Sequence, residues 1–216
     1  MRLKALFVIF SVAVPLCMAT PVPPCNMASL TSADVIAIAP ESASCTGASY
    51  PAECATATDA SPWISLAFRS FGVHSFGTQA ALLSLVLYES GSFKYNINHF
   101  PGMPGQGTRN MQSPAFNLRY ALWLAANMTD SGISLQQVDE AEKEGSVQVL
   151  ALVNNQRWSF ASAAWFLATQ CNEEIGQGLA TSTEEGWETY LTHCVGTTVT
   201  DDRTAIWKKA IALGKW

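Results

Sequence analysis

The stretch 80–91, AALLSLVLYESG, constrains the fold more than any other part of the chain. It is a nearly continuous apolar helix pattern that ends in one carboxylate, Glu89. Between positions 60 and 129 there is no other Asp or Glu. On a helix, Glu89 follows Val86 by three residues, Leu85 by four and Leu82 by seven, so it shares their apolar face. A helix apolar on most sides is a core helix. A carboxylate on such a helix needs a reason, because burying a charge is costly.

The chain of 216 residues is long enough to bury one sizeable core, and its 49% hydrophobic content excludes a disordered polymer. The opening MRLKALFVIFSVAVPLCMA has a basic start, a short apolar run and a small-residue end. It reads as a signal peptide over 1–19, so a secreted, extracellular protein is expected. The run is too short to span a bilayer. Removing it takes away Arg2 and Lys4 but no acid, which leaves an acidic chain. Excess negative charge argues against nucleic acid or an anionic membrane as partner.

Five cysteines follow the signal segment: Cys25, Cys45, Cys54, Cys171 and Cys194. Secretion favours disulfides. The preferred pairs are Cys171–Cys194 and one pair among the three N-terminal cysteines, with Cys45–Cys54 first. The spacings do not match a zinc site, and neither metal nor cofactor is expected. Asn127-Met128-Thr129 is a glycosylation sequon at the end of a helix pattern.

Segment 20–60, rich in Ala, Ser, Thr, Pro and Cys, reads as an irregular, disulfide-tied lead-in with a short helix after Ser29 or Thr31. Its acids Asp34, Glu41 and Glu53 are expected to face solvent. Segment 61–216 reads as one mostly helical domain. Helices are expected from Ser61-Pro62 to Phe71, from Thr78 to Gly91 and from Ser113-Pro114 to Asn127. Others start after Ser134 and Gly145, then cover 157–171, 183–195 and 201–213. Between them, 91–112 carries four glycines and two prolines that break any regular element, together with many aromatic and amide side chains. Long loops of that composition in compact domains are usually functional.

The chain has no GxSxG elbow, P-loop, HExxH or dinucleotide fingerprint. The remaining constellation is Glu89 and the loop after it. An acid in apolar surroundings at the end of a helix has the logic of a glycoside-cleaving acid, and Tyr, Asn and Gln side chains suit sugar hydroxyls and acetamido groups. The competing structural account turns Glu89 to solvent or pairs it with Arg69, Lys94 or Arg109. Five of the seven tryptophans, Trp63, Trp123, Trp158, Trp165 and Trp187, are read as core.

The sequence ESGSF at 89–93, followed by GTRNMQSP at 107–114, resembles the active-site signature of the lysozyme-like superfamily, nearest to goose-type lysozymes and soluble lytic transglycosylases. The resemblance covers about 80–125. It implies a mainly α, lysozyme-like helical domain with a cleft, little β structure and disulfide stabilisation. It further implies a glycoside hydrolase or lytic transglycosylase, acting as a monomer on a β-1,4-linked N-acetylhexosamine polymer such as peptidoglycan or chitin. Glu89 matches the general acid. Ser90, Tyr95, Asn98, Asn110, Met111 and Gln112 are the expected substrate contacts. The downstream tyrosine motif of those families has Tyr120 and Tyr190 as its nearest candidates, and no second catalytic carboxylate is legible. The alternative is a non-catalytic glycan-binding or interaction protein on the same fold.

Overall fold

A computed structural model describes residues 29–216. The signal-peptide reading, Cys17 and Cys25 therefore lie outside the described residues. The elements are α1 (Ser32–Ile38), a 3-10 turn (Pro40–Ala43), α2 (Ala57–Ser70), α3 (Phe76–Glu89), α4 (Pro114–Asn127), α5 (Leu135–Glu144), α6 (Ser146–Val153), α7 (Gln156–Gln170), α8 (Glu173–Ala180), α9 (Glu184–Thr189), a π-helical turn (Tyr190–Val195) and α10 (Asp201–Ala212). The protein is mainly helical. Among the described residues, β structure is limited to two isolated bridges, Ile97–Gly107 and Gly107–Gln112. No helix among the described residues is long and apolar enough to cross a membrane.

Helix α3 is the central element. It starts at a Ser75 side-chain cap and buries an unbroken run from Gly77 to Leu87, apart from Gln79. With apolar residues on every side, it must be covered from several directions. Helices α7, α8 and α10 pack against it, and α2 lies on α7. Helices α4, α5 and α6 form a neighbouring group. Two small residues of α3 are accommodated locally. Ser84 is buried and donates to the Ala80 carbonyl at 2.6 Å. Gly77 is needed for a different reason. A Cβ there would strike the Leu179 carbonyl and the Ser182 hydroxyl, so only glycine lets α8 approach this closely.

Two boundaries differ from the sequence reading. Helix α2 is capped at Thr56, not Ser61. The Thr56 hydroxyl caps the Asp59 amide while Asp59 reaches back to the Thr56 amide and hydroxyl, a complete capping box. Pro62 therefore sits inside the helix. Helix α8, unforeseen because EEIGQGLA carries two glycines, is capped by Asn172. Its Gly178 meets Gly186 of α9 so closely that a Cβ on Gly186 would collide with the Gly178 carbonyl.

The disulfides are Cys45–Cys54 and Cys171–Cys194, the two preferred pairs. The first closes the lead-in. The second ties the end of α7 to the π-helical turn. Trp158, Trp165 and Trp187 are buried, and Trp63 and Trp123 pack at the core margin. Asn127 is exposed at the end of α4, with its amide donating to the Trp123 carbonyl at 2.9 Å.

Candidate functional site: the groove over Glu89

Glu89 is the last residue of α3, and beyond it the chain reverses tightly. Gly91, Ser92 and Phe93 all have positive φ, at 56°, 56° and 68°. L-residues avoid this region, and two of the three carry side chains. Thr108 and Met111, further along the loop, are also left-handed at 62° and 49°. Such backbone persists only where the surroundings over-determine it, and it concentrates at functional sites.

The surroundings here do so. Arg109 is almost fully buried (2% exposed) and donates to three backbone carbonyls: Phe93 at 2.8 Å, Tyr95 at 2.9 Å and Glu53 at 2.6 Å. Its guanidinium lies 4.8 Å from the centre of the Phe160 ring. Burial lowers its pKa to about 10, opposed by the Glu53 carboxylate, so it is charged at neutral pH. Phe93, fully buried, meets Phe160 edge-on. Asn117, also fully buried, donates to the Gly105 carbonyl at 2.8 Å and accepts from Gln112 Nε2 at 2.7 Å. Gln106 donates to the Met111 carbonyl at 2.9 Å.

Glu53 corrects the sequence reading, which had it facing solvent. Its side chain is 12% exposed. One carboxylate oxygen accepts from the Asn96 and Ile97 amides, and the other accepts from His99 Nε2 at 2.6 Å. Tyr50, from the same segment, stacks on the His99 ring with centroids 3.6 Å apart. The disulfide-tied lead-in thus holds the loop in place.

The opposite side of the groove comes from the C-terminal third. Arg203 of α10 donates to Glu89 Oε1 at 2.8 Å, and the two side chains are 13% and 19% exposed. The Arg203 guanidinium also lies 4.3 Å from the Tyr88 ring centre. Tyr190 is fully buried, and its hydroxyl has no partner. Burial raises its pKa well above the ordinary range, and the Glu89 carboxylate adds to that rise. The surroundings of Glu89 are therefore not the apolar ones expected of it. Its partner is Arg203, not Arg69, Lys94 or Arg109.

Two lobes meet over Glu89. One, of about 250 Å³, is lined by Leu85, Phe116, Phe166 and Val195 as apolar walls and by Asn110, Gln112 and Arg203 as polar groups. The other, of about 190 Å³, is lined by Tyr95, Asn98, His99 and Phe100 among others. Glu89, Gln106 and Met111 line both. A larger cavity of about 520 Å³ lies elsewhere, between the ends of α2 and α7 and the starts of α3 and α8, and shares no residue with either lobe. The groove over Glu89 is the better candidate site despite its size. It combines a part-buried ion pair, unpartnered buried polar atoms and strained backbone.

Of the expected contact residues, Tyr95, Asn98, Asn110, Met111 and Gln112 line the groove. Ser90 does not. It is fully buried, donates to the Val86 carbonyl and accepts from the Phe93 amide, so it shapes the reversal. Most of the amides that sequence reasoning assigned to sugar hydroxyls are already engaged inside the protein. Asn98 bonds Gln106 and the Phe100 amide. Asn110 Oδ1 accepts from Thr108 at 2.8 Å and Ser162 at 2.7 Å. Gln112 keeps one free acceptor, since its Oε1 is buried without a partner. Sequence reasoning missed Arg203 and Glu53, and it offered Tyr190 only as a motif candidate. Among the described residues, no group of three or more His, Cys, Asp or Glu is placed to hold a metal.

No family model matches the chain, and no solved structure matches it. A curated relative does: a protein of Fusarium oxysporum (strain Fo5176) named bifunctional dioxygenase (DOX)-epoxy alcohol synthase (EAS). It is 38% identical over 140 residues, which cover 65% of this chain and 11% of the relative. The chain thus corresponds to a small part of a much longer protein. This relative overturns the expectation of a glycan-cleaving enzyme, because its name is that of an oxidoreductase and synthase. The assignments as glycoside hydrolase, lytic transglycosylase and cell-wall-degrading enzyme are corrected accordingly. The geometry agrees with the correction, since Glu89 is engaged by a guanidinium and the loop amides by groups of the protein itself.

Proposed function

We propose that this chain is a ligand-binding domain, the counterpart of one segment of a longer dioxygenase-epoxy alcohol synthase, and that its ligand is an amphipathic, oxygenated small molecule of the epoxy alcohol type. The observation that carries the reading is the make-up of the larger lobe. Leu85, Phe116, Phe166 and Val195 offer an apolar wall, while the Glu89–Arg203 pair and the Asn110 and Gln112 side chains supply the polar part of the lining. Such a site takes an apolar body and fixes a few oxygen functions. The name of the relative supplies the chemical class.

The reading is one of binding. Arg203 and Glu89 neutralise each other, so an uncharged oxygen function can enter without leaving a lone buried charge. The lysozyme-like arrangement belongs to the same proposal, with loop 93–112 and segment 190–203 as the two sides of a cleft. The resemblance then extends to the framework and not to the reaction. A secreted, monomeric protein is also part of the reading, supported by two disulfides.

Isothermal calorimetry tests it. An epoxy alcohol on a long aliphatic chain is titrated against the same chain without oxygen functions. The expected result is saturable binding of the first, at least about ten-fold tighter than the second, equivalent to roughly 1.4 kcal/mol. Equal affinity for the two probes, or no binding of either, would overturn the proposal.

A further inference from the structure

The Cys45–Cys54 disulfide closes a nine-residue separation around a turn at Gly47, and both cysteines are half-exposed. This hairpin touches the groove. Tyr50 stacks on His99 and meets Tyr95 edge-on. The Glu53 carboxylate holds the Asn96 and Ile97 amides and His99 Nε2, and the Glu53 carbonyl accepts from buried Arg109. Ala55, the residue after Cys54, donates to the Phe93 carbonyl at 3.0 Å. Lys94 reaches back to the carbonyls of Glu41 and Ser44, the latter next to Cys45. Tyr95, Asn98, His99 and Phe100, which line the smaller lobe, are therefore positioned from a segment whose covalent cross-link is half-exposed. Phe100 itself is 78% exposed at the tip of that loop.

We propose that Cys45–Cys54 is a redox-sensitive site that controls the smaller lobe of the groove. A dithiol reductant transfers two electrons and two protons to the pair. The S–S bond breaks, Cys45 and Cys54 become thiols, and the dithiol closes to its own cyclic disulfide. The hairpin then loses its constraint, Tyr50 leaves the His99 ring, and the His99–Phe100 wall is released. The helical body persists because α3, α7 and α10 pack without the hairpin. Cys171–Cys194 has no such link to the loop, since it ties α7 to the π-helical turn. This proposal does not depend on the ligand class proposed for the groove, and its readouts need no ligand.

The experiment compares the full chain, oxidised and treated with dithiothreitol, with the double variant Cys45→Ser/Cys54→Ser and the control Cys171→Ser/Cys194→Ser. His99 is followed by imidazole NMR, loop 97–103 by limited proteolysis and the helices by far-UV circular dichroism. Dithiothreitol and the first double variant are expected to shift the His99 resonances and raise loop cleavage by about ten-fold or more, in line with the constraint a disulfide of this loop size supplies, with helicity kept. The control pair should leave His99 unchanged. Glu53→Gln, with the disulfide intact, should move the same His99 resonances. Unchanged His99 signals and cleavage in Cys45→Ser/Cys54→Ser would overturn the proposal. So would global loss of helicity in that variant, because the bond would then be a staple of the fold and not a switch.

Discussion

The two sides of the groove are held in different ways. The 92–112 side is over-determined: Arg109, Asn117, Glu53, Gln106 and Ser90 each make at least one hydrogen bond to its backbone, and four residues with side chains hold positive φ there. The 190–204 side is held by fewer side-chain bonds, chiefly those of Arg203 to Glu89 and to the Thr198 carbonyl. Both sides keep buried polar atoms without partners: Asn96 Oδ1, Arg109 Nε and Gln112 Oε1 on the first, and the Tyr190 hydroxyl, Arg203 Nε and Thr204 Oγ1 on the second. Buried polar groups are usually satisfied, and each exception asks for an explanation. The first side is a fixed template. The second is tied to Glu89 through the single Arg203 bond, so a small shift of α10 would alter it first.

Substitutions can break this contrast. The largest effect is expected at Arg109→Met, which removes three charge-assisted bonds to buried carbonyls. It should cost about 3–5 kcal/mol of unfolding free energy, read by urea denaturation. A cost near zero would mean that the loop is not held from this side chain. Next comes Leu83→Ala in the middle of α3, expected to cost about 2–5 kcal/mol by the same assay because Leu83 is fully buried and its truncation leaves a cavity. On the other side of the groove, Tyr190→Phe should change stability by less than about 1 kcal/mol, because it deletes an unpartnered hydroxyl rather than a bond. A loss comparable to that of Arg109→Met would abolish the distinction between the two sides.

The smallest effect lies outside the groove. The Thr56 hydroxyl and amide lower the pKa of Asp59. A carboxylate with a depressed folded pKa stabilises above its unfolded value, near 4, and loses that contribution as pH falls through the folded value. Asp59→Asn should therefore be less stable than the parent at pH 7, with the difference shrinking steadily as pH falls below about 4. Equilibrium denaturation at neutral and acid pH checks the sign.

Part of this was legible in the sequence and part was not, for physical reasons. Helix α3 was legible because its apolar run has only one reading. The loop was legible because glycine and proline exclude regular structure, and Cys45–Cys54 because its partner is near in the chain. Arg203 was not. It lies 114 residues from Glu89 and next to two acids, so it reads as part of a solvated helix start. Glu53 was misread for a related reason: a short polar segment gives no periodicity from which to infer what its carboxylate faces. The amides of the loop were misassigned because composition reports which groups can bond but not whether they bond each other. Lone sequence motifs at 89–93 and 107–114 therefore located the groove but gave the wrong chemistry for it.

The most direct test is NMR chemical-shift mapping of the epoxy alcohol probe on the full chain. The account predicts perturbations that cluster at Glu89, Asn110, Gln112, Phe116, Phe166, Val195 and Arg203. Perturbations confined to the larger cavity around Phe71, Leu167 and Gln177 would contradict it, as would none at saturating probe.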